Sequence, residues 1–175
     1  VAEFYNMQGL DTISVSALQR GFQDVLQKKN LLMSKEQIDM TVQQKMQEYM
    51  MKKISANKLE GQKFLEENKK RNGVVSLPDG LQYEVLVQGD GPKPSPTDKI
   101  TANYKGTLLN GFEFDNSYKR GTPLTISLKS VIKGWTEAIS LMPKGSKWRV
   151  YIPSELGYGD RNSGQIPGGS LLIFE

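Results

Sequence analysis

The 175-residue chain contains neither cysteine nor histidine. Without a thiol or an imidazole it cannot form a thiolate metal site, a cysteine nucleophile or a Ser-His-Asp triad. We therefore expect no metal and no cofactor, and any catalysis has to proceed without these groups. Absence of cysteine suits an oxidising compartment, although many cytosolic proteins also lack it.

Long apolar runs and a strong charge of one sign are also missing. No stretch approaches the roughly 18 apolar residues of a membrane helix, so we expect no transmembrane segment. The net charge is only +4, and basic residues alternate with acidic ones in the helical part, which argues against nucleic-acid binding. The chain begins at Val1 rather than Met, which is compatible with removal of a signal peptide, so we expect none in this chain and draw nothing from its absence.

Proline is absent from the first part of the chain and recurs in the second. Residues 11–72 contain no Pro and are rich in Lys, Gln, Glu and Met, which favours helix. After Gly73, turn signals alternate with short segments of strand character. We predict an all-helical module at residues 1–73 and a second domain at residues 74–175, whose last strand is cut short at Glu175.

Two helices are predicted in the first module. The first begins near Ser14 or Ser16 and ends around residues 28–30. One apolar stripe runs along it, formed by Leu18, Phe22, Val25 and Leu26. The second begins with a capping box at residues 34–37.

The second helix has no clear stop before Asn72, so it could extend for about 37 residues, or about 55 Å. Its apolar stripe needs a partner surface, which leaves two interpretations. The helix breaks near Asn57 or Gly61 and folds back, or a second copy of the chain covers it through residues 1–73. The methionines in the first half of this helix either bind client proteins or pack in the interface between the two copies.

The second half reads as an antiparallel sheet wrapped around one short helix, an α+β arrangement. Ile100, Ala102 and Tyr104 alternate with polar residues as one strand, which a type I′ turn at residues 110–111 sends back. Further strands are predicted at residues 147–152 and 171–174. Between them, Ser130 is expected to cap the short helix, whose apolar face is Val131, Trp135, Ala138 and Ile139.

These segments closely resemble the FKBP family of prolyl isomerases, the macrolide-binding immunophilins. The matching stretches occur in the family order, at residues 104–106, 114–118, 131–135, 145–148, 152–153, 158–159 and 172–174. The first half resembles the N-terminal module of Mip-like bacterial FKBPs. The resemblance implies a peptidyl-prolyl isomerase acting on proline-containing protein clients, a homodimer, macrolide inhibitor binding, and a periplasmic or outer-membrane-associated location.

The resemblance also implies roles for individual residues. Trp135 would be the floor of a proline pocket, with Asp115 and Tyr158 as polar groups and Arg120 holding Asp115. The Ile132 N–H and the Tyr158 hydroxyl would donate hydrogen bonds to substrate carbonyls. The pocket walls would be Tyr104, Phe114, Val131, Ile132 and Phe174, with Ile166 in the loop above.

The chain departs from the family at one wall. Many relatives have an aromatic residue after Pro123, where this chain has Leu124 and Ile126, so the pocket is expected to be wider there. The segment 157–169 is rich in Gly and polar residues, and reads either as a mobile lid or as an ordinary surface loop.

Such a pocket would need no nucleophile. Rotation about an X–Pro bond passes through a twisted, less polar amide, so an apolar pocket disfavours the planar form relative to the twisted one. We predict a folding catalyst that also serves as a chaperone. The alternative is a binding module that captures proline motifs, or a chaperone scaffold, with little turnover.

Overall fold

The computed structural model describes residues 14–27, 29 and 33–175. The chain divides into two compact units after Lys52. The unit that contains the strands starts at Lys53, within a helix, and the domain boundary at residue 73 stays a prediction. The predicted α+β class is confirmed.

Helix α1 spans Val15–Leu26. Its N-cap is Ser14, whose Oγ accepts a hydrogen bond from the N–H of Ala17 at 3.3 Å, as the sequence predicts. The helix ends earlier than predicted, and Lys28 and Asn30 lie outside the described residues. Its predicted apolar stripe is exposed within this unit, with 66% of Phe22 accessible.

Helix α2 spans Lys35–Asn68. The capping box is confirmed: the Ser34 N–H donates to Gln37 Oε1 at 2.9 Å, and the Gln37 N–H donates to Ser34 Oγ at 3.3 Å. Of the two interpretations, the one in which the helix breaks near Asn57 or Gly61 is wrong, because both residues lie within one continuous helix. Within the strand-containing unit, Asn57 donates a hydrogen bond to the Gly168 carbonyl, and Gly61 leaves room for the Leu171 side chain.

The strands of the second unit form a six-stranded sheet and a separate pair. All neighbours are antiparallel, in the order β1-β2-β7-β8-β4-β5 for the large sheet and β3-β6 for the pair. The strands are β1 Val74–Ser76, β2 Gln82–Val87, β3 Lys99–Ala102, β4 Lys105–Leu108, β5 Glu113–Asn116, β6 Leu124–Ser127, β7 Lys147–Ile152 and β8 Leu172–Phe174.

The prediction of one continuous strand from Ile100 to Tyr104 is wrong. Strand β3 ends at Ala102, and β4 begins at Lys105 in the other sheet. Tyr104 lies between them and is held by Ser117: the Tyr104 N–H donates to Ser117 Oγ at 2.8 Å, and the Ser117 N–H donates to the Tyr104 carbonyl at 2.9 Å. The break therefore fixes the position of Tyr104.

The predicted type I′ turn is also wrong. The Gly111 N–H donates to the Leu108 carbonyl at 3.0 Å, so the central residues of the turn are 109 and 110. Gly111 follows with φ of 82°, in the left-handed region, and the Leu108 N–H donates to the Phe112 carbonyl at 2.9 Å. This longer loop is a common alternative to the two-residue hairpin.

Two short helices lie between strands of the second unit, one after β5 and the other between β6 and β7. Helix α3 spans Ser117–Arg120 and α4 spans Lys133–Leu141. Ser130 does not cap α4, contrary to expectation, because it ends a 3-10 turn, Leu128–Ser130, and the N-cap is Ile132. A second 3-10 turn lies at Ser154–Leu156.

The large sheet is covered on both faces. Helix α4 contributes Trp135 and Ala138 to the main core. On the other face α2 covers Tyr151, which is only 2% exposed and clusters with Leu65 and Leu171. This explains why β7 is buried beyond the alternation expected of a half-buried strand. None of the described helices combines the length and apolarity needed to cross a membrane.

Candidate active site

Four aromatic side chains meet where α4 crosses the sheet. The Trp135 ring lies edge-to-face against Tyr104 at a centroid distance of 4.9 Å and against Phe174 at 5.1 Å. Phe114 lies edge-to-face against Phe174 at 5.6 Å. These geometries are favourable for ring quadrupoles and make a rigid apolar surface.

A charged corner borders this aromatic cluster. The Tyr104 hydroxyl donates a hydrogen bond to Asp115, and the Arg120 guanidinium forms an ion pair with the same carboxylate. The guanidinium carbon also lies 5.5 Å from the Tyr104 ring centroid. Burial, reinforced by the bond to Asp115, raises the pKa of Tyr104, so its hydroxyl stays protonated at neutral pH. Asp115 thus orients a donor.

The local fold explains how Arg120 reaches Asp115. Asp115 is in β5, and α3 begins two residues later. The Asn116 side chain caps α3 by accepting hydrogen bonds from the N–H groups of Tyr118 and Lys119. Gly121 then ends the helix with φ of 72°. Because α3 is a single capped turn, Arg120 at its end lies beside the Asp115 carboxylate.

Two donors predicted to bind substrate lie in different elements. Ile132 precedes the first turn of α4 and packs against the main core, and its N–H has no acceptor among the residues that the structure describes. Tyr158 is 39% exposed and follows the 3-10 turn at Ser154–Leu156. Both donors are available to a ligand.

The remaining predicted residues divide into two groups. Val131 and Leu124 pack against the same core as the aromatic cluster, and Ile166 is buried in it at 6% exposure. Ile126 instead pairs with Ile100 in the two-stranded sheet and lies outside that set. The structure therefore places Leu124, but not Ile126, with the predicted pocket.

A wide cleft of about 890 Å³ adjoins the aromatic cluster between β3, β7 and α4. Tyr104, Trp135 and Phe174 contribute to its lining, whereas Phe114, Ile132 and Tyr158 do not. No sequence pattern predicts this cleft, because it depends on the separation of β3 from the large sheet. Its other apolar lining residues include Ile100, Ala102, Ile139, Met142, Trp148 and Val150.

Nothing in the sequence signals a carboxyl pair between Glu137 of α4 and Asp79. A hydrogen bond to Asp79, together with burial, raises the pKa of Glu137 to about 7. Asp79 belongs to the turn before β2, where it also accepts a hydrogen bond from the Leu81 N–H at 3.2 Å. The hydrogen bond between Glu137 and Asp79 links this turn to the helix that carries Trp135.

Comparison with known proteins supports one family over nearly the whole chain. Residues 91–175 match the family model described as FKBP-type peptidyl-prolyl cis-trans isomerase, and residues 2–85 match the domain amino terminal to that isomerase.

Two curated relatives extend over nearly the full length of this chain. The outer membrane protein MIP of Legionella longbeachae is 41% identical, over 98% of this chain and 76% of that protein. The FKBP-type 22 kDa peptidyl-prolyl cis-trans isomerase of Escherichia coli K12 is 38% identical, over 100% of this chain and 87% of that protein.

The fold agrees with these matches. The crystal structure of FkpA from Escherichia coli superposes with a TM-score of 0.82 at 36% identity, and the match covers 98% of this chain and 83% of that one. The chain therefore belongs to the FKBP-type peptidyl-prolyl cis-trans isomerase family.

Proposed function

We propose that this isomerase binds a substrate proline on Trp135, between Tyr104, Phe114 and Phe174, and rotates the preceding peptide bond there. The observation that carries this proposal is a rigid aromatic surface bordered by a charged corner, in a chain that also offers the Ile132 and Tyr158 donors. No other group of described residues combines these features.

Desolvation is the main source of acceleration in this proposal. The X–Pro barrier of roughly 18–20 kcal/mol arises from lost amide resonance, and water stabilises the polar planar amide. An aromatic surface removes that water and so lowers the free-energy difference between the planar and the twisted amide. Each tenfold acceleration requires only about 1.4 kcal/mol, so shape and one or two hydrogen bonds suffice.

The polar groups orient the substrate. In this proposal the Ile132 N–H and the Tyr158 hydroxyl donate to the carbonyls that flank the rotating bond, which fixes one side while the other turns. Arg120 and the Tyr104 hydroxyl hold Asp115 in place. Asp115 supplies a local field beside the proline ring and transfers no proton.

Exchange spectroscopy on a short X–Pro peptide tests the function. Wild-type protein should increase the cis/trans exchange rate at catalytic concentration, and Tyr158→Phe should lower kcat/KM about fivefold, the value of one hydrogen bond of about 1 kcal/mol. Tyr118→Phe is the matched control, because Tyr118 is an exposed tyrosine of α3.

Trp135→Phe should lower the activity further while keeping an aromatic side chain in the core. Peptide binding without any acceleration by the wild-type protein would reject catalysis and favour the binding-module alternative. An unchanged rate in both site variants would reject the proposed location of the proline.

We further propose that the protein is a homodimer through residues 1–73. Support comes from α1, where a stripe suited to a core is exposed, including 62% of Leu18 and 61% of Val25. A second copy is the simplest cover for such a stripe. The dimer would present two catalytic sites to one client and raise the local concentration of its prolines.

Light scattering of matched α1 variants tests the dimer. Phe22→Asp places one charge in the stripe and should yield the monomer mass of 19.6 kDa. Ala17→Asp adds the same charge on the opposite side of α1 and should leave the dimer intact. A wild-type monomer at micromolar concentration would overturn this proposal.

We also propose a periplasmic or outer-membrane-associated location, supported by the name of the Legionella relative, and inhibition by a macrolide that occupies the proline pocket. Fractionation of the source cells tests the location. For the inhibitor, unchanged peptide exchange at saturating macrolide would contradict pocket binding.

A further inference from the structure

The 157–169 loop, which carries Tyr158 and Ile166, is closed by hydrogen bonds near its ends. The Gly169 N–H donates to the Gly159 carbonyl at 2.8 Å, one residue after Tyr158. Nearer the tip, Ser163 and Ile166 exchange backbone hydrogen bonds of 2.9 and 3.0 Å. The pairing of Gly159 with Gly169 is here called the closed end of the loop. Its position therefore sets the positions of the Tyr158 and Ile166 side chains.

The closed end rests on helix α2, more than 100 residues earlier in the chain. The Asn57 amide Nδ2 donates to the Gly168 carbonyl at 2.9 Å. Lys58 forms an ion pair with Asp160 at 2.6 Å, and its Nζ also lies 3.6 Å from Glu155. The bond to Asp160 raises the pKa of Lys58.

Close backbone contact accompanies these bonds. Gly169 has φ of 77°, and a Cβ there would lie 2.5 Å from the Ile54 carbonyl oxygen. A Cβ at Gly168 would lie 3.2 Å from Ile54 Cγ1 and 2.3 Å from the Asp160 carbonyl oxygen. Neither glycine can gain a side chain without separating the loop from the helix or distorting its own closed end.

We propose that Ile54, Asn57 and Lys58, here called the α2 clamp, are positioning residues that hold the 157–169 loop so that Tyr158 and Ile166 face the substrate. The helix thereby sets the substrate affinity of a pocket to which it contributes no lining side chain. This inference rests on the proposed function, and it gives Asn57 a role within the continuous helix α2.

The loop is thus neither a free lid nor an ordinary surface loop. Its tip projects from a closed end that α2 holds. The ion pair is partly exposed, with 32% of the Lys58 side chain and 54% of the Asp160 side chain accessible. Because exposed pairs contribute little to global stability, loss of the clamp should alter the pocket more than the fold.

The test compares Asn57→Ala/Lys58→Ala with Lys63→Ala in the full chain. Lys63 is an exposed lysine of the same helix and serves as the matched control. In the peptide exchange assay the double variant should lose about threefold to tenfold in kcat/KM, mainly through a higher KM, with an unchanged urea midpoint. The single variant Lys58→Arg should keep kcat/KM within about twofold of wild type, because its guanidinium can maintain the ion pair with Asp160.

Amide hydrogen exchange gives a readout that does not depend on activity. Exchange at Gly159 and Gly169 should accelerate in the double variant and in Gly169→Ala, but not in Lys63→Ala. Faster exchange with wild-type kcat/KM would overturn the inference, as would an activity loss matched by a lower urea midpoint. Inactive wild-type protein would reject the proposed function, and unchanged exchange in the double variant would then separately reject the clamp.

Discussion

The carboxyl pair of Glu137 and Asp79 should make the stability of the protein fall as pH rises towards neutrality. The pKa of Glu137 is about 7 in the folded chain, against an ordinary value of 4.5. Between these values the folded state holds a proton that the unfolded state has released, so unfolding becomes easier as pH increases. The stabilisation is fully present below pH 4.5 and is lost as pH passes through about 7.

The size of the effect follows from the shift. A difference of 2.5 pH units at about 1.36 kcal/mol each sets an upper limit of about 3.4 kcal/mol. Glu137 is only partly buried, so water screens the two carboxyl groups and we expect a loss of about 1–2 kcal/mol. The chain has no histidine, so few other side chains titrate in this range.

Urea unfolding between pH 5 and pH 8 measures this loss. Glu137→Gln keeps a donor for Asp79 without a titrating proton, so its free energy of unfolding should be nearly constant over the same range. Glu66→Gln is a control, because Glu66 forms an exposed ion pair with Lys69. Equal pH dependence in wild type and Glu137→Gln would refute the raised pKa of Glu137.

Three further substitutions test the site and its frame. Asp115→Leu should lower kcat/KM about tenfold in peptide exchange, because Tyr104 and Arg120 lose their common acceptor, and a rate within twofold of wild type would contradict this role. Gly106→Ala places a Cβ 2.5 Å from Phe114 Cε2, so it should displace that ring, with loss of activity and about 1–3 kcal/mol of stability by urea unfolding. Glu175→Gln should cost about 1–2 kcal/mol at pH 7, because Lys147 and then Arg149 lower the Glu175 pKa to about 2. That contribution disappears as pH falls from 4.5 towards 2, so wild type and variant should converge in acid unfolding.

Local chemistry made part of the fold predictable. The Ser34 capping box and the N-cap at Ser14 involve residues within four positions of each other, and both are confirmed. The identity of the aromatic residues came from motif resemblance. Their meeting in space also depends on α4 crossing the sheet, which the apolar face around Trp135 predicted.

The rest of the fold could not be predicted, because it depends on contacts between residues that are far apart in the sequence. The alternation of residues 100–104 continues through Tyr104, and only the contacts with Ser117 show that the strand is broken there. Likewise, Asn57 and Gly61 resemble helix-breaking positions until their contacts with Gly168 and Leu171 are known. A local pattern does not reveal which distant segment satisfies a side chain.

The two tryptophans provide the most direct test of where the proline binds. In a titration of isotope-labelled protein with a short X–Pro peptide, the Trp135 indole N–H and the Ile132 amide should shift, because both border the proposed pocket. Trp148 stacks on Tyr83 at 4.2 Å in the wall of the wide cleft, and its indole signal should remain in place. A shift of Trp148 with an unchanged Ile132 amide would place the substrate in the cleft and contradict the proposed site.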